Sequence, residues 1–481
     1  MNPEINRREF VRAVGLGTAS VVVSGRTSIS LQTKVASGLN KKPNFLFILI
    51  DDMGWSDLGC YGNQFHETPY IDRLAEQGMR FTDAYAAAPV CSPTRASILA
   101  GQYPARIGIT DFIPGHRRPW AKLKVPQNQL QMPAETITIA EVLKEHGYTT
   151  GYIGKWHLGS APKFIPQNQG FDTVIQRGRN LNDKQVTSFT DSAIDFIQAH
   201  RDKPFFLYLS HHSVHIPLQA PQQLIEKYEK KPRPPAGVNN PIYAAVIEHL
   251  DAGIGRIINK LDELNLVART VVVFFSDNGG LYKPYGGYGG DKSAVTTNWP
   301  LRDEKGTLYE GGTRVPLIVR WPGVVKAAAS CSVPVCSVDF YPTFLEIAGA
   351  KANLNQVLDG KSILGLLTQT GRFKRDAIYW HYPHYHHSTP AGAIRQGRWK
   401  LIEFFEDDRL ELYNLQDDIA EKNNLATEMP ERAAQLQQRL AAWRKSVGAK
   451  MPAPNPNFDP VRAHEWGKRQ RKKTSPLATG K

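Results

Sequence analysis

Cysteine is scarce in this chain: Cys60, Cys91, Cys331 and Cys336 are the only four in 481 residues. A disulfide-stapled scaffold needs a far higher density, and these spacings match no zinc template. Cys331 and Cys336 could pair after export or remain two nearby buried thiols. Long apolar runs are missing too. Beyond residues 13–23, none approaches the roughly twenty residues of a spanning helix, so no integral membrane protein is expected. Internal repeats are absent. Acidic residues are the minority, 45 against 59 Lys and Arg, for a net charge of +14. Most of that excess sits at the ends: +6 in 449–481 and +3 in 1–40, which leaves +5 for the body. A body without a basic stripe argues against a nucleic-acid partner and suits a small anionic substrate.

What is present is an ordinary globular composition, 41% hydrophobic and 22% charged, in a chain long enough for one large domain and a smaller one. The N-terminus carries Arg7-Arg8-Glu9-Phe10 ahead of the short apolar stretch 13–23. A charged n-region before a short h-region reads as a signal peptide, and the paired arginines resemble a twin-arginine signal, which exports folded proteins through the Tat machinery. A Sec signal or a membrane tether is the alternative. A periplasmic or extracellular location is the expectation.

Apolar runs separated by helical segments predict an α/β fold with a large, mostly parallel mixed sheet. The clearest are Asn44–Ile50, 149–153, Phe205–Ser210, Thr270–Ser276 and 315–320. They are continuous rather than alternating, as strands buried on both faces should be. Four of them end in polar clusters: Asp51-Asp52, Lys155 with His157, His211 to His215, and Asp277-Asn278. Open α/β sheets bind ligands beyond the carboxyl ends of their strands, so the four clusters point to one shared site. The expected organisation is a signal and linker over 1–40 and a catalytic domain over 41–335. A smaller α+β domain with an antiparallel sheet follows over 336–448, and a basic, Pro-rich tail over 449–481. Within the smaller domain, strands are predicted at 377–381, 393–405 and 409–415, with Glu406 to Asp408 as a turn. A helix from about Glu428 buries Leu436, Leu440, Trp443 and Val447 on one stripe.

The segment Cys91-Ser92-Pro93-Thr94-Arg95-Ala96-Ser97-Ile98-Leu99-Ala100-Gly101 predicts a helix with Pro93 in its first turn, Ser92 or Cys91 as cap, and Gly101 at its end. Position 91 then lies at a helix N-terminus, which favours anions, and Arg95 one turn on points the same way. Cys91-x-Pro93-x-Arg95 followed by Leu99-Ala100-Gly101 resembles the signature of type I, formylglycine-dependent sulfatases, a family with an alkaline-phosphatase-like fold. The resemblance runs from about Asn44 to Ala426. It implies that Cys91 is oxidised to formylglycine by a formylglycine-generating or an anaerobic sulfatase-maturating enzyme, and that the aldehyde hydrate is the nucleophile.

Asp51, Asp52, Asp277 and Asn278 offer three carboxylates and an amide oxygen. An all-oxygen set favours Ca²⁺, or Mg²⁺, over zinc, and the resemblance assigns these residues to a calcium. It also implies that Lys155 and Lys305, the latter in Lys305-Gly306-Thr307-Leu308-Tyr309-Glu310, bind the sulfate. His157 would deprotonate the hydrate and so expel sulfate from it, while His215, with Lys305, would protonate the leaving alcohol. The stretch Tyr379-Trp380-His381-Tyr382-Pro383-His384-Tyr385-His386-His387 holds no carboxylate between its histidines. It could be a second metal cluster, a core edge or a substrate wall; the wall is the favoured reading, with the loop 281–290 as another. The expected substrate is a sulfated saccharide, and segment 393–402 resembles sulfatases acting on galactose- or galactosamine-type glycans. The alternatives are a phosphatase or phosphodiesterase of the same superfamily, and an inactive glycan-binding relative in which Cys91 stays a thiol.

Overall fold

The computed structural model describes residues 42–178, 182–284, 294–353, 355–371 and 373–467. The signal segment, residues 285–290 of the loop expected to form a wall, and the basic run 468–473 lie outside them. Among the described residues, no helix is long and apolar enough to cross a membrane.

Strands β1 (Asn44–Ile50), β2 (Met79–Phe81), β3 (Thr149–Gly154), β4 (Thr173–Ile175), β5 (Phe205–Ser210), β6 (Thr270–Ser276), β7 (Leu317–Arg320) and β8 (Ala329–Cys331) form one sheet. Its order is β8-β2-β7-β6-β1-β5-β3-β4. From β6 to β4 every pairing is parallel, and β7 runs antiparallel to both β6 and β2. The sheet is therefore mixed but mostly parallel. Every residue of β1, β5 and β6 is buried, which is why these segments read as unbroken apolar runs.

Side chains alternate across the sheet and meet different helices on its two faces. Leu46, Ile48 and Ile50 join a core with Ile71 and Leu74 of α1 (Pro69–Glu76), Phe189 and Phe196 of α3 (Val186–Ala199), and Leu250 and Ile254 of α4 (Pro241–Glu263). Phe45 and Phe47 point the other way, onto Phe344 and Phe340 of α5 (Phe340–Ala348). Helix α2 (Cys91–Ala100) packs beside α5 on this second face.

A separate antiparallel sheet runs β9-β10-β11-β12, from Ile378–Tyr382, Ala391–Gln396, Trp399–Phe404 and Leu410–Asn414. The single strand expected over 393–405 is thus a hairpin, β10 and β11, turned at Gly397 with φ 59°. Leu436, Leu440, Trp443 and Val447 of α6 (Pro430–Val447) are buried against it, and Gly448 ends that helix. Arg395 and Lys400, in the segment that resembles galactose- or galactosamine-type sulfatases, are buried in a charge network. Lys400 pairs with Glu310 at 2.8 Å and Glu421 at 2.9 Å, and Arg395 with Asp83 at 2.6 Å. The Lys400–Glu310 pair ties the small sheet to the loop that carries Lys305. Residues 453–454 pair with 123–124, and Gly467 N–H donates to Arg117 O, so the tail is laid along residues 117–124 as far as 467. Among the described residues, all four cysteines are free thiols, including Cys331 and Cys336.

Candidate active site

Main-chain bonds stitch the strand ends into one rim. Asp51 N–H donates to Ser213 O, Val214 N–H to Asp51 O, Asp277 N–H to Ile50 O, and Lys155 N–H to Ser210 O. Gly154 makes the turn before Lys155 at φ 107°, where a Cβ would lie 1.8 Å from Ser210 O, so only glycine fits.

Helix α2 begins at Cys91, with Val90 as an extended N-cap and no side-chain cap. This corrects the expected start, because Cys91 and Ser92 already lie inside the first turn. The Ser92 hydroxyl donates to His157 O at 2.9 Å and accepts from Ile113 N–H at 3.1 Å, which takes it away from capping. The helix ends as expected, at Gly101 with φ 66°.

Arg95, 1% exposed, is the hub. Its Nε donates to Asp277 Oδ2 at 2.8 Å, and one Nη lies 2.7 Å from the same oxygen and 3.7 Å from Asp51 Oδ1. The other Nη donates to Ser210 Oγ at 2.6 Å and Lys155 O at 2.8 Å. The guanidinium therefore braces the ends of β3, β5 and β6 and lies beside that of β1 rather than pointing freely at position 91.

Lys155 Nζ lies 2.5 Å from Asp51 Oδ2, and Lys305 Nζ lies 2.6 and 2.7 Å from the two oxygens of Asp52. Asn278 Nδ2 donates to Asp52 Oδ1 at 2.9 Å, and Asp52 N–H to Asp277 Oδ1 at 3.2 Å. Burial pushes the Asp51 carboxyl up, but Lys155, His215 and Arg95 carry it well below the usual range. Burial and the charge of Asp51 raise Asp277.

A cation's fit to this set can be judged from its oxygens. Asp51 Oδ1 and Asn278 Oδ1 are both buried without a hydrogen-bond partner. Unpartnered polar atoms in a dry interior are costly, and these two sit with Asp52 and Asp277 in a cluster of hard donors. Ligand atoms of Asp51, Cys91 and Asp277, and of Asp51, Asp52 and His215, lie within 4.8 Å of one another. The residues fit a Ca²⁺ or Mg²⁺ ion.

His157 Nδ1 lies 3.3 Å from Cys91 Sγ, while Nε2 lies 2.5 Å from Ile113 O. A carbonyl only accepts, so Nε2 carries the proton and the Nδ1 lone pair faces position 91. Burial and the charge of Lys155 lower the His157 pKa to about 3, which keeps the ring neutral. His215 has the opposite tautomer: Nδ1 donates to Ile216 O at 2.6 Å, leaving Nε2 3.7 Å from Asp52 Oδ2. Burial and Lys305 lower His215 to about 4, and its side chain is 27% exposed.

All ten predicted site residues come together at this rim. Ile113 and Ser210, which position His157 and Arg95, carry no signal in the sequence, and Ser92, expected as a cap, instead holds His157 O and Ile113 N–H. The aromatic stretch splits. Trp380 is buried with its Nε1 on Ala86 O, and Tyr379 stacks on Trp443 at 4.8 Å. Those two rings belong to the core, which corrects the expected wall at Tyr379 and Trp380, while His387 hydrogen-bonds Lys305 O at 2.7 Å.

The chain matches the family model described as Sulfatase over residues 43–350 and that described as N-sulphoglucosamine sulphohydrolase, C-terminal, over 300–446. It is 32% identical to a sulfatase of Formosa agariphila, covering 86% of this chain and 90% of that protein. It is also 32% identical to human arylsulfatase A, covering 78% of each. With the N-acetylgalactosamine-6-sulfatase of Mus musculus the identity is 31%, over 72% of this chain and 70% of the relative. The solved structure of Ps i-CgsB superposes with a TM-score of 0.74 at 28% identity, covering 87% of this chain and 95% of that one. A second structure of that protein, in complex with k-i-k-neocarrahexaose, has a TM-score of 0.73.

Proposed function

The chain belongs to the sulfatase family, and we propose that it removes sulfate from a sulfated carbohydrate, of a galactose or galactosamine type, after Cys91 has been oxidised to formylglycine by a maturation enzyme. The observation that carries this reading is the bare Nδ1 of His157 aimed at position 91 beside a dry set of carboxylate oxygens. The sugar assignment draws on what the names of the relatives print: an N-acetylgalactosamine sulfatase and a protein crystallised with a carrageenan-type oligosaccharide. Export by the Tat route belongs to the same reading, on the strength of Arg7-Arg8-Glu9-Phe10.

Formylglycine at position 91 supplies a hydrated aldehyde as nucleophile, and Ca²⁺ or Mg²⁺ held by Asp51, Asp52, Asp277 and Asn278 supplies positive charge for sulfate oxygens. The remaining work falls to side chains. Lys155 and Lys305 present ammonium groups at the edge of the oxygen cluster and bind the sulfate there. Arg95 holds Asp277 and the backbone of Lys155 in place. His157 Nδ1 takes a proton from the group at position 91, and Ile113 O holds the ring at its other nitrogen.

On the leaving-group side, the resting proton is carried by Lys305 rather than by His215. Burial works against the lysine's charge, yet Asp52 raises its pKa, whereas burial and Lys305 keep His215 neutral. A sulfate ester entering the cluster adds negative charge and raises both. His215 Nε2 then takes up a proton from Lys305 and passes it to the departing sugar oxygen, so that the lysine is the source and the imidazole the relay.

The test is to purify the matured enzyme, measure the mass of the peptide containing residue 91, and follow sulfate release from defined sulfated mono- and oligosaccharides. Aldehyde at position 91, with Cys91→Ala inactive and Cys91→Ser inactive or stalled as a sulfate ester, is the expected result. Wild-type hydrolysis by Cys91→Ala would sink the assignment, and a preference for aryl phosphate would return it to the phosphatases.

A further inference from the structure

A fifth strand end reaches the rim, and the reactions assigned above do not use it. Strand β4 lies at the edge of the sheet and runs parallel to β3, so Gln176 and Arg177 emerge at the same carboxyl-terminal side as Lys155 and His157. Parallel strands deliver their following residues to one edge, the edge at which open sheets bind ligands. The backbone there is anchored: Gly178 N–H donates to Gln185 Oε1 at 2.5 Å, and a Cβ on Gly178 would lie 2.5 Å from Ser188 Cβ.

A cavity of about 400 Å³ opens at this point, lined by Gly154, Lys155, Trp156, His157, Gln176, Arg177 and His212. It falls within the roughly 300–1,000 Å³ typical of small-ligand clefts. Its wall has a definite charge character. Lys155 and Arg177 are cations, His157 is neutral, Gln176 offers an amide, and no carboxylate lines it. Lys155 is already answered by Asp51 at 2.5 Å. Arg177 is not: among the described residues, no carboxylate pairs with it, whereas Arg95, the other arginine of the site, is held by Asp277 at 2.7 Å. The His212 ring lies against Phe189, with centroids 6.0 Å apart, and burial followed by Lys155 lowers its pKa to about 3, so it enters as a neutral hydrogen-bonding group.

We propose that Arg177, supported by Gln176 and His212, forms a subsite for a second oxyanion, a sulfate ester or a carboxylate, carried by the saccharide whose scissile sulfate lies at position 91. The inference rests on the carbohydrate-sulfatase reading and deepens it, because it assigns the enzyme to glycans with two acidic groups close together. A guanidinium is the side chain whose planar fork matches either oxyanion with two parallel hydrogen bonds. An unpaired arginine beside a neutral imidazole and an amide provides donors for that group without an internal carboxylate to compete. Removing those bonds lowers kcat/KM for a diacidic substrate chiefly through KM, because they form equally in the ground and transition states.

The experiment uses the matured, metal-loaded enzyme and its Arg177→Ala and Arg177→Lys variants. Four substrates are compared: nitrophenyl sulfate, and one sugar carrying the same scissile sulfate alone, with a second sulfate, or with a carboxylate. The wild type is expected to prefer at least one diacidic sugar to the monosulfated one, and which of the two it prefers identifies the oxyanion. In Arg177→Ala, kcat/KM for the preferred sugar should fall about 10- to 100-fold more than for the monosulfated sugar, with Arg177→Lys in between. Equal losses on all three sugars, or a wild type indifferent to the second acid, would overturn the subsite and leave the parent reading standing. Turnover of nitrophenyl sulfate but of no sugar would overturn the parent reading and the subsite with it.

Discussion

Replacing Arg95 tests whether the site is built around a buried guanidinium. In Arg95→Lys, the ammonium can keep at most its ion pair with Asp277, and the bonds to Ser210 Oγ and Lys155 O are lost. Lys155 O remains served, since Ser210 Oγ donates to it at 2.9 Å and the Tyr152 hydroxyl donates to the same carbonyl, and Ser210 Oγ keeps that bond as a donor. The group left short is Asp277, which loses one of two contacts from the same arginine. A hydrogen bond to a charged group contributes about 1.5–3 kcal/mol, so Arg95→Lys should cost about 2–3 kcal/mol. Arg95→Ala leaves Asp277 buried beside Asp51 with no cation of its own and should cost about 3–5 kcal/mol. With an unfolding entropy of about 2 cal/mol/K per residue, a chain of this length shifts its Tm by only about 1 °C per kcal/mol. Calorimetry should therefore record a fall of a few degrees in both variants. Sulfate release should fall much further, by at least about 10²-fold, because displacement of the Asp277 and Lys155 backbones by even 1 Å misplaces the reacting groups. A large loss of rate at nearly unchanged Tm is the signature of a brace. Arg95→Ala with kcat/KM within tenfold of the wild type would refute the reasoning.

Two further outcomes follow from the geometry. Stripping divalent ions should abolish sulfate release and lower the Tm, and Ca²⁺ or Mg²⁺ should restore both. At a hundredfold excess over Kd the stabilisation is about 2.7 kcal/mol, and recovery with zinc alone would contradict the hard-oxygen assignment. Asp111 is buried with Tyr382 OH on its Oδ1 at 2.8 Å, and burial raises its pKa to about 7, above the roughly 3.9 of an unfolded chain. The native state therefore holds that proton longer, and the stability it contributes is complete below about pH 4 and lost as pH rises to about 7. Asp111→Asn removes that slope, so between pH 5 and pH 8 its stability relative to the wild type should improve by about 2.7 kcal/mol in urea titrations, at about 1.36 kcal/mol per pH unit. Parallel profiles would show that Asp111 is ionised in the native state throughout.

What could be read from the sequence depended on how local its cause was. Strands β1, β5 and β6 are buried on both faces, so their apolar runs and the polar residues that end them declared both sheet and rim. The turn at Gly397 is a two-residue reversal between Gln396 and Trp399, marked in the sequence only by the short polar run Arg395-Gln396-Gly397-Arg398, which is too brief to separate two strands by composition. The N-terminus of α2 was misjudged because Ser92, a good capping residue by type, is engaged by His157 and Ile113, 65 and 21 positions away. Ser210 was overlooked for the same kind of reason, since its bond to Arg95 spans 115 positions. The aromatic stretch at 379–387 misled because composition does not say which face of a strand is covered, and α6 covers Tyr379.

The charges of the site can be counted one against another, and the count bears on what it accepts. Asp51, Asp52 and Asp277 face Lys155, Lys305 and Arg95 respectively, a pairing of three anions with three cations at 2.5–2.7 Å. His157 and His215 are neutral. With the carboxylates ionised, the cluster is balanced, so a bound divalent cation gives it a net charge of about +2. A sulfate monoester brings −1 and the inorganic sulfate released carries −2, so negative charge grows along the reaction inside a cluster that becomes less positive as it does. Arg177 stands outside this balance because no carboxylate among the described residues answers it. An oxyanion reaching Arg177 therefore meets an uncompensated cation, while one reaching Lys155 must share it with Asp51. The scissile sulfate is thus selected by the whole cluster and a second acid by one arginine. This is why Arg177→Ala should change which sugar is preferred more than how fast the bond to sulfur breaks.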